Sequence, residues 1–378
     1  MAAGRLTVLQ LLPALEGGGV ERGTLEVARA LVDAGHRSLV MSAGGRMVGQ
    51  LQAEGSEHLT WDIGRKHLAT LRLIRPLRRL LLSEGIDIVH VRSRVPAWIL
   101  EFALRGLPPE QRPIRVSTVH GLYSVSRYSA IMTRGDRIVA VSNAVRDYIL
   151  DNYPQCPPER VEVIPRGVDP REFPLGYQAP PEWREAFFKQ FPDARGKILL
   201  TLPGRLTRLK GHHDFIELVE GLIRRGQPVH GLIVGGEDPR RRAYAAELRR
   251  AVTQSGLGRH ISFTGARSDI RDIYSISSIV LSLSTKPESF GRTVAEALSL
   301  GVGVIGWSHG GVGELLNEHF PSGSVPLRDR HELEARVIRL VDSRHPEPMT
   351  PPPSLQEMLR RTLELYAELS RQRPADFT

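Results

Sequence analysis

The chain reads as an α/β protein built from two doubly wound parallel sheets. Three observations predict this. Short β-branched or apolar runs alternate with longer helical patterns, the alternation restarts in the second half, and a proline-rich stretch separates the halves. The 378 residues correspond to two or three domains at about 150 residues each. With 41% hydrophobic and 25% charged residues, a disordered or collagen-like chain is excluded.

In chain order, the first half offers strands at 6–12 (LTVLQLL), 37–42, 86–91, 115–120, 137–142 and 161–166, with helical patterns between most of them. Residues 167–195 then hold Pro170, Pro174, Pro180, Pro181 and Pro192, too many for a continuous helix or a central strand. We place the domain boundary there, with a first Rossmann-like domain at 1–175 and a second at 176–353. The second supplies strands at 197–204, 229–236, 260–265, 278–284 and 302–308. A second proline cluster at 345–354 precedes a terminal helix, 354–378. There Met358, Leu359, Leu363, Tyr366 and Leu369 recur at helical spacing and need a surface to cover, expected on the first lobe. No repeat of solenoid or propeller length is present.

The single cysteine, Cys156, excludes an intramolecular disulfide framework and any cysteine-only metal site, and suits a reducing compartment. The N-terminal apolar run alternates like a strand and lacks a small-residue cleavage site, so it is not read as a signal peptide. No apolar window is long enough to span a bilayer. The expectation is a cytoplasmic protein, soluble or peripheral on the inner face of the membrane. A net charge of +9 biases the chain toward anionic partners. The excess concentrates in 65–79, where Arg65, Lys66, Arg72, Arg75, Arg78 and Arg79 stand without an acidic residue. Leucines and Ile74 are interspersed, and Pro76 is expected to kink or end a helix. The segment reads either as a basic amphipathic membrane or acceptor surface or as an outer helix with a solvated basic face.

Three places carry candidate chemistry. The first strand runs into Gly17-Gly18-Gly19 and then into a helix, a turn whose backbone amides can approach an anion or which is simply tight. Arg22 occupies the third glycine position of a dinucleotide fingerprint, and no P-loop motif occurs, which disfavours NAD binding and P-loop hydrolysis. The loop 204–211 (GRLTRLKG) places Arg205 and Lys210 at the carboxyl end of a parallel strand, suited to a pyrophosphate, although a basic loop can also be merely solvated. Finally, Pro287 to Leu298 looks like a loop entering a helix at Ser289 to Arg292, with Glu288 and Glu296 bracketing an anion site. A carboxylate accepts two hydroxyl hydrogen bonds, which suits a ribose diol at one end and a sugar at the other. The bland alternative is a helix-start preference for Glu288 and surface charge for Glu296.

Read together, these features resemble the GT-B retaining glycosyltransferases of glycosyltransferase family 4, the glycogen synthase and mannosyltransferase type. The resemblance covers nearly the whole chain through six ordered matches: the Gly17–Gly19 loop, STVHG at 117–121, IVAVSN at 138–143, VIPRGVD at 163–169, GRLTRLKG at 204–211, and E-x7-E from Glu288 to Glu296. The segments 90–98, with Arg94, and 120–142 look most like bacterial lipopolysaccharide-core transferases. The chief departure is Gly303, where such proteins usually carry proline.

The resemblance implies two Rossmann-like lobes with an interlobe cleft. Glu296 would bind ribose, Arg205 and Lys210 the diphosphate, Ser289, Phe290, Gly291 and Arg292 the phosphates, and Glu288 the donor sugar. Gly18 and Gly19 would close on the phosphates, and His120 would meet the transferred sugar, unless it is a structural hydrogen-bonding residue. It further implies transfer from a UDP-, GDP- or ADP-linked sugar to a cell-envelope glycolipid or polysaccharide, plausibly lipopolysaccharide core, with retention of configuration and no cofactor. No D-x-D pair occurs and the basic pair offers the same neutralisation, so no metal is expected. Two rivals remain in view. One is a nonhydrolytic nucleotide-sugar-binding protein. The other is a basic nucleic-acid binder, disfavoured by the lack of a recognised module and by 6% aromatic content.

Overall fold

A computed structural model describes residues 4–237, 242–342 and 348–372. Part of the proline cluster at 345–354, and residues 373–378 of the expected terminal helix, lie outside them. The chain divides into two compact units, Met1–Pro165 with Gln356–Thr378, and Arg166–Leu355.

The first unit is a seven-stranded parallel sheet of β1 (Thr7–Leu11), β2 (Arg37–Ser42), β3 (Glu57–Thr60), β4 (Ile88–Val91), β5 (Ile114–Val119), β6 (Arg137–Ala140) and β7 (Val161–Val163), in the order β3-β2-β1-β4-β5-β6-β7. The second is a six-stranded parallel sheet of β8 (Ile198–Pro203), β9 (Val229–Val234), β10 (Ile261–Gly265), β11 (Ile279–Ser282), β12 (Val304–Trp307) and β13 (Ser324–Val325), ordered β10-β9-β8-β11-β12-β13. The central strands are buried along almost their whole length, as helices on both faces require, and so they read as mainly apolar runs, interrupted by the buried Gln10, His90 and His230. In each sheet the strand order reverses once, between β1 and β4 and between β8 and β11. Such a switch point opens a crevice at the carboxyl ends of its two strands.

Two strands escape sequence reading. β3 is an edge strand, EHLT, with no buried residue, and β13 is a two-residue edge. The division between units also falls earlier than residue 175. Val168 bridges to Ser354, the Ser299 hydroxyl donates to the Phe173 carbonyl at 2.7 Å, and the Gly176 N–H donates to the Leu300 carbonyl at 3.0 Å. Residues 166–176 therefore pack as part of the second unit. The terminal helix, Leu355–Gln372, buries Met358, Thr362, Leu365, Tyr366 and Leu369, a face rotated from the expected one that included Leu359 and Leu363. It is tied to the first sheet where the Tyr366 hydroxyl meets His90 Nδ1 at 2.5 Å, His90 Nε2 meets the Thr118 hydroxyl at 2.6 Å, and Arg137 donates to Glu368 at 3.1 Å. Among the described residues no helix is long and apolar enough to cross a membrane.

Candidate active site

In the second unit the candidate residues come from the loops that follow β8 and β11, the two strands flanking its switch point. The β8 loop ends at Gly211, whose φ of 72° caps the helix His212–Arg224. A Cβ there would lie 1.9 Å from the Leu283 carbonyl oxygen, so only glycine lets this loop press against the end of β11. That approach delivers Lys210 to Glu288, with Nζ 2.6 Å from Oε1. The Ser284 hydroxyl donates to the same carboxylate oxygen, and His309 Nε2 lies 2.8 Å from the Ser284 carbonyl.

Burial pushes the Glu288 carboxyl up, but Lys210, the Ser284 hydrogen bond and nearby His309 outweigh it and hold the group below the usual carboxylate range. The Gly311 N–H supports the loop by donating to the Glu288 carbonyl at 2.7 Å.

Three residues past Glu288, Gly291 adopts φ 99° and caps the helix Arg292–Ser299 without any side-chain cap. A helix start of this kind directs backbone N–H groups toward an anion. Arg292 Nε donates to Glu296 Oε1 at 3.0 Å across one helical turn, and Glu296 is buried. Phe290 is buried too, so what it can offer a phosphate is its backbone. Ser289 is half-buried, and Arg205 is exposed on the β8 loop. The structure thus joins Lys210 to Glu288 and Arg292 to Glu296, while no contact among the described residues links Arg205 to either pair. Ser284 and His309 were missed. Their signals were a polar residue just past the β11 strand and a histidine immediately before the Gly310-Gly311 turn.

In the first unit, Gly18 is the N-cap of the helix Gly19–Asp33, again without a side-chain cap, and a Cβ on Gly19 would meet nothing within 4 Å. His120 follows β5 and is half-buried.

The basic segment forms a 3-10 turn, Leu68–Leu73, and the helix Ile74–Ser83. Pro76 lies in the first turn of that helix, where proline is tolerated, so it neither kinks nor ends it. Arg65, Lys66, Arg72, Arg75 and Arg79 are exposed. Arg78 is not part of that surface. Its guanidinium donates to the carbonyls of Ala103 at 3.1 Å and Phe102 at 3.5 Å, at the end of the helix Arg94–Leu104. Arg94 is likewise engaged, stacked 4.6 Å from the Tyr123 ring and 5.2 Å from the Tyr128 ring and donating to the Ser129 hydroxyl. Among the described residues no group of three or more His, Cys, Asp and Glu is placed to hold a metal ion.

Residues 17–172 match the family model Glycosyltransferase Family 4, and residues 184–351 match Glycosyl transferases group 1. The chain joins a glycosyltransferase family 4 domain to a glycosyl transferases group 1 domain. Its fold is shared over 98% of its length, and 100% of the other chain, with a glycosyltransferase from Rickettsia africae ESF-5, at 29% identity and a TM-score of 0.87. Anabaena HepE, solved in complex with UDP and glucose, superposes with a TM-score of 0.78 over 96% of this chain and 99% of its own, at 19% identity. Both carry the GT-B type of paired parallel-sheet domains expected from the sequence. The alpha-maltose-1-phosphate synthase of Mycolicibacterium smegmatis is 26% identical over 238 residues, 61% of this chain. This chain spans 59% of that relative's length.

Proposed function

We propose that this protein transfers a sugar from a nucleotide diphosphate sugar to a hydroxyl of a cell-envelope glycolipid or polysaccharide, of the lipopolysaccharide-core type, with retention of anomeric configuration. The observation that carries the reading is the meeting of Lys210, Glu288 and the uncapped helix start at Gly291 at the β8/β11 switch point. Breaking the anomeric C–O bond builds negative charge on the β-phosphate and oxocarbenium character on the sugar. Lys210, Arg205 and the amides at the Gly291 helix start supply positive potential for the departing diphosphate, set in place before reaction. Glu288, ionised and anchored by Ser284, faces the donor sugar, and Glu296 receives the ribose diol.

Attack by the acceptor on the same face as the departing phosphate, which takes the hydroxyl proton, accounts for retention without a protein nucleophile. The cationic pair makes a metal unnecessary. Gly18 and Gly19 contribute amides to the phosphates, and His120 the contact to the transferred sugar. The exposed arginines of 65–79 suit an anionic membrane surface on the cytoplasmic side.

A thermal-shift panel of UDP-, GDP- and ADP-sugars tests the donor class, and NMR of the product anomer tests retention. Failure of every nucleotide sugar to shift the melting temperature would overturn the reading.

A further inference from the structure

An open surface groove of about 630 Å³, called the cavity below, lies in the first unit between the basic segment and the helix Arg94–Leu104. Its wall is made by Val95, Trp98, Ile99 and Phe102, and its lip by Leu68 and Leu71. Leu68 is 81% exposed and Leu71 44%, an unusual placement for leucines beside a run of arginines. The Trp98 indole N–H donates to the Tyr128 carbonyl at 3.0 Å, so its polar edge is satisfied inside the protein and its ring is left as apolar surface. The charged lining is all cationic: Arg65 and Lys66 contribute to it and no acidic residue does. Lys66 Nζ lies 5.5 Å from the Tyr128 ring, which holds the ammonium at the rim.

An apolar hollow with a cationic mouth matches an amphiphile with an aliphatic tail and an anionic head. An acidic surface alone would satisfy the arginines and leave the hollow unused. We propose that this cavity seats one aliphatic chain of an anionic lipid, its phosphate held at Arg65 and Lys66. In naming the lipid part of the acceptor, the inference rests on the function proposed above, but the cavity is tested separately.

The full-length chain is titrated with octyl, decyl and dodecyl phosphate below their micelle concentrations, and with inorganic phosphate, by calorimetry. Binding should be one to one, with affinity rising about fourfold per added methylene, while inorganic phosphate binds far more weakly. A bromoalkyl phosphate should quench the fluorescence that is lost in Trp98→Phe. Leu71→Asp, at an exposed position that tolerates charge, should weaken dodecyl phosphate by more than tenfold with its melting temperature unchanged. Lys66→Gln should weaken all three alkyl phosphates alike and reduce their salt dependence.

Affinity independent of chain length, or vesicles of phosphatidylglycerol with brominated acyl chains that bind without quenching Trp98, would leave only surface adsorption and overturn the proposal. The nucleotide-sugar panel on the same preparation separates the two claims. Alkyl phosphate binding without nucleotide-sugar binding removes the function and leaves the cavity site, and the reverse removes the cavity site alone.

Discussion

Lys210→Ala removes the cation that the site's geometry uses most. The Lys210–Glu288 pair is short, 2.6 Å, and its side chains are 29% and 24% exposed. Breaking a fully buried pair costs roughly 3–5 kcal/mol, and an exposed one roughly 0–1 kcal/mol. With Ser284 still donating to Glu288, a loss of about 1–2 kcal/mol lies between those limits, or about 2–8 °C in melting temperature for a unit of this size. On the proposed function the effect on catalysis should be larger, because the ammonium would face charge that grows on the leaving phosphate. Removing one such preorganised donor lowers kcat by about 10²–10³, or roughly 2.7–4 kcal/mol. Calorimetric melting reads the first number, and transfer at saturating donor reads the second. A kcat within about threefold of wild type, with only the donor KM raised, would show that Lys210 binds ground state and transition state equally and would refute its role in departure.

Three further outcomes are expected. Chelator should leave transfer unchanged, and its abolition, restored by added divalent metal, would contradict neutralisation by Arg205 and Lys210. Gly291→Ala puts a Cβ 2.9 Å from Val312 Cγ2 on a residue with φ 99°, and should cost about 1–3 kcal/mol in chemical denaturation and weaken donor binding by displacing the helix start. Burial pushes His212 and His230 down to about 4 from an ordinary 6.5. The unfolded chain binds protons below 6.5 that the folded one refuses, so stability is full above that pH and falls as pH drops toward about 4. His36, His58 and His319 are also held down by burial, so His230→Gln should reduce that slope in pH-resolved melts without abolishing it.

The parallel strands were legible because a strand buried on both faces is mainly apolar, as Ile279 to Leu281 are throughout and as Val8, Leu9 and Leu11 are around the single buried Gln10. β3 was not, since an edge strand like EHLT carries no burial pattern. The helix start was legible in the glycine at 291. Its partners were not, because Lys210 stands 78 residues from Glu288 and meets it only when Gly211 lets two loops touch. Nor does a run of arginines say which one turns inward. Arg78 does so because the carbonyls ending the Arg94–Leu104 helix need donors.

The spacing between Glu288 and Glu296 has a sharper meaning in three dimensions than in sequence. The helix begins between them, so Glu288 belongs to a loop and is held by a cation from another loop, while Glu296 is held by Arg292 of its own helix. On the donor reading, an arriving diphosphate shares Lys210 with Glu288 and adds negative charge beside a carboxyl that depends on that cation to stay ionised. Its pKa should therefore rise on binding, and binding should take up a proton where the free protein is still deprotonated. The sign follows. Because the free carboxyl titrates below the usual range, proton uptake should be near zero at neutral pH and grow as the pH falls into the carboxylate range. Calorimetry of nucleotide diphosphate binding in buffers of different ionisation enthalpy measures this directly. Uptake that persists in Glu288→Gln, or that is absent in the wild type across the acid range, would mean that the diphosphate does not approach Lys210.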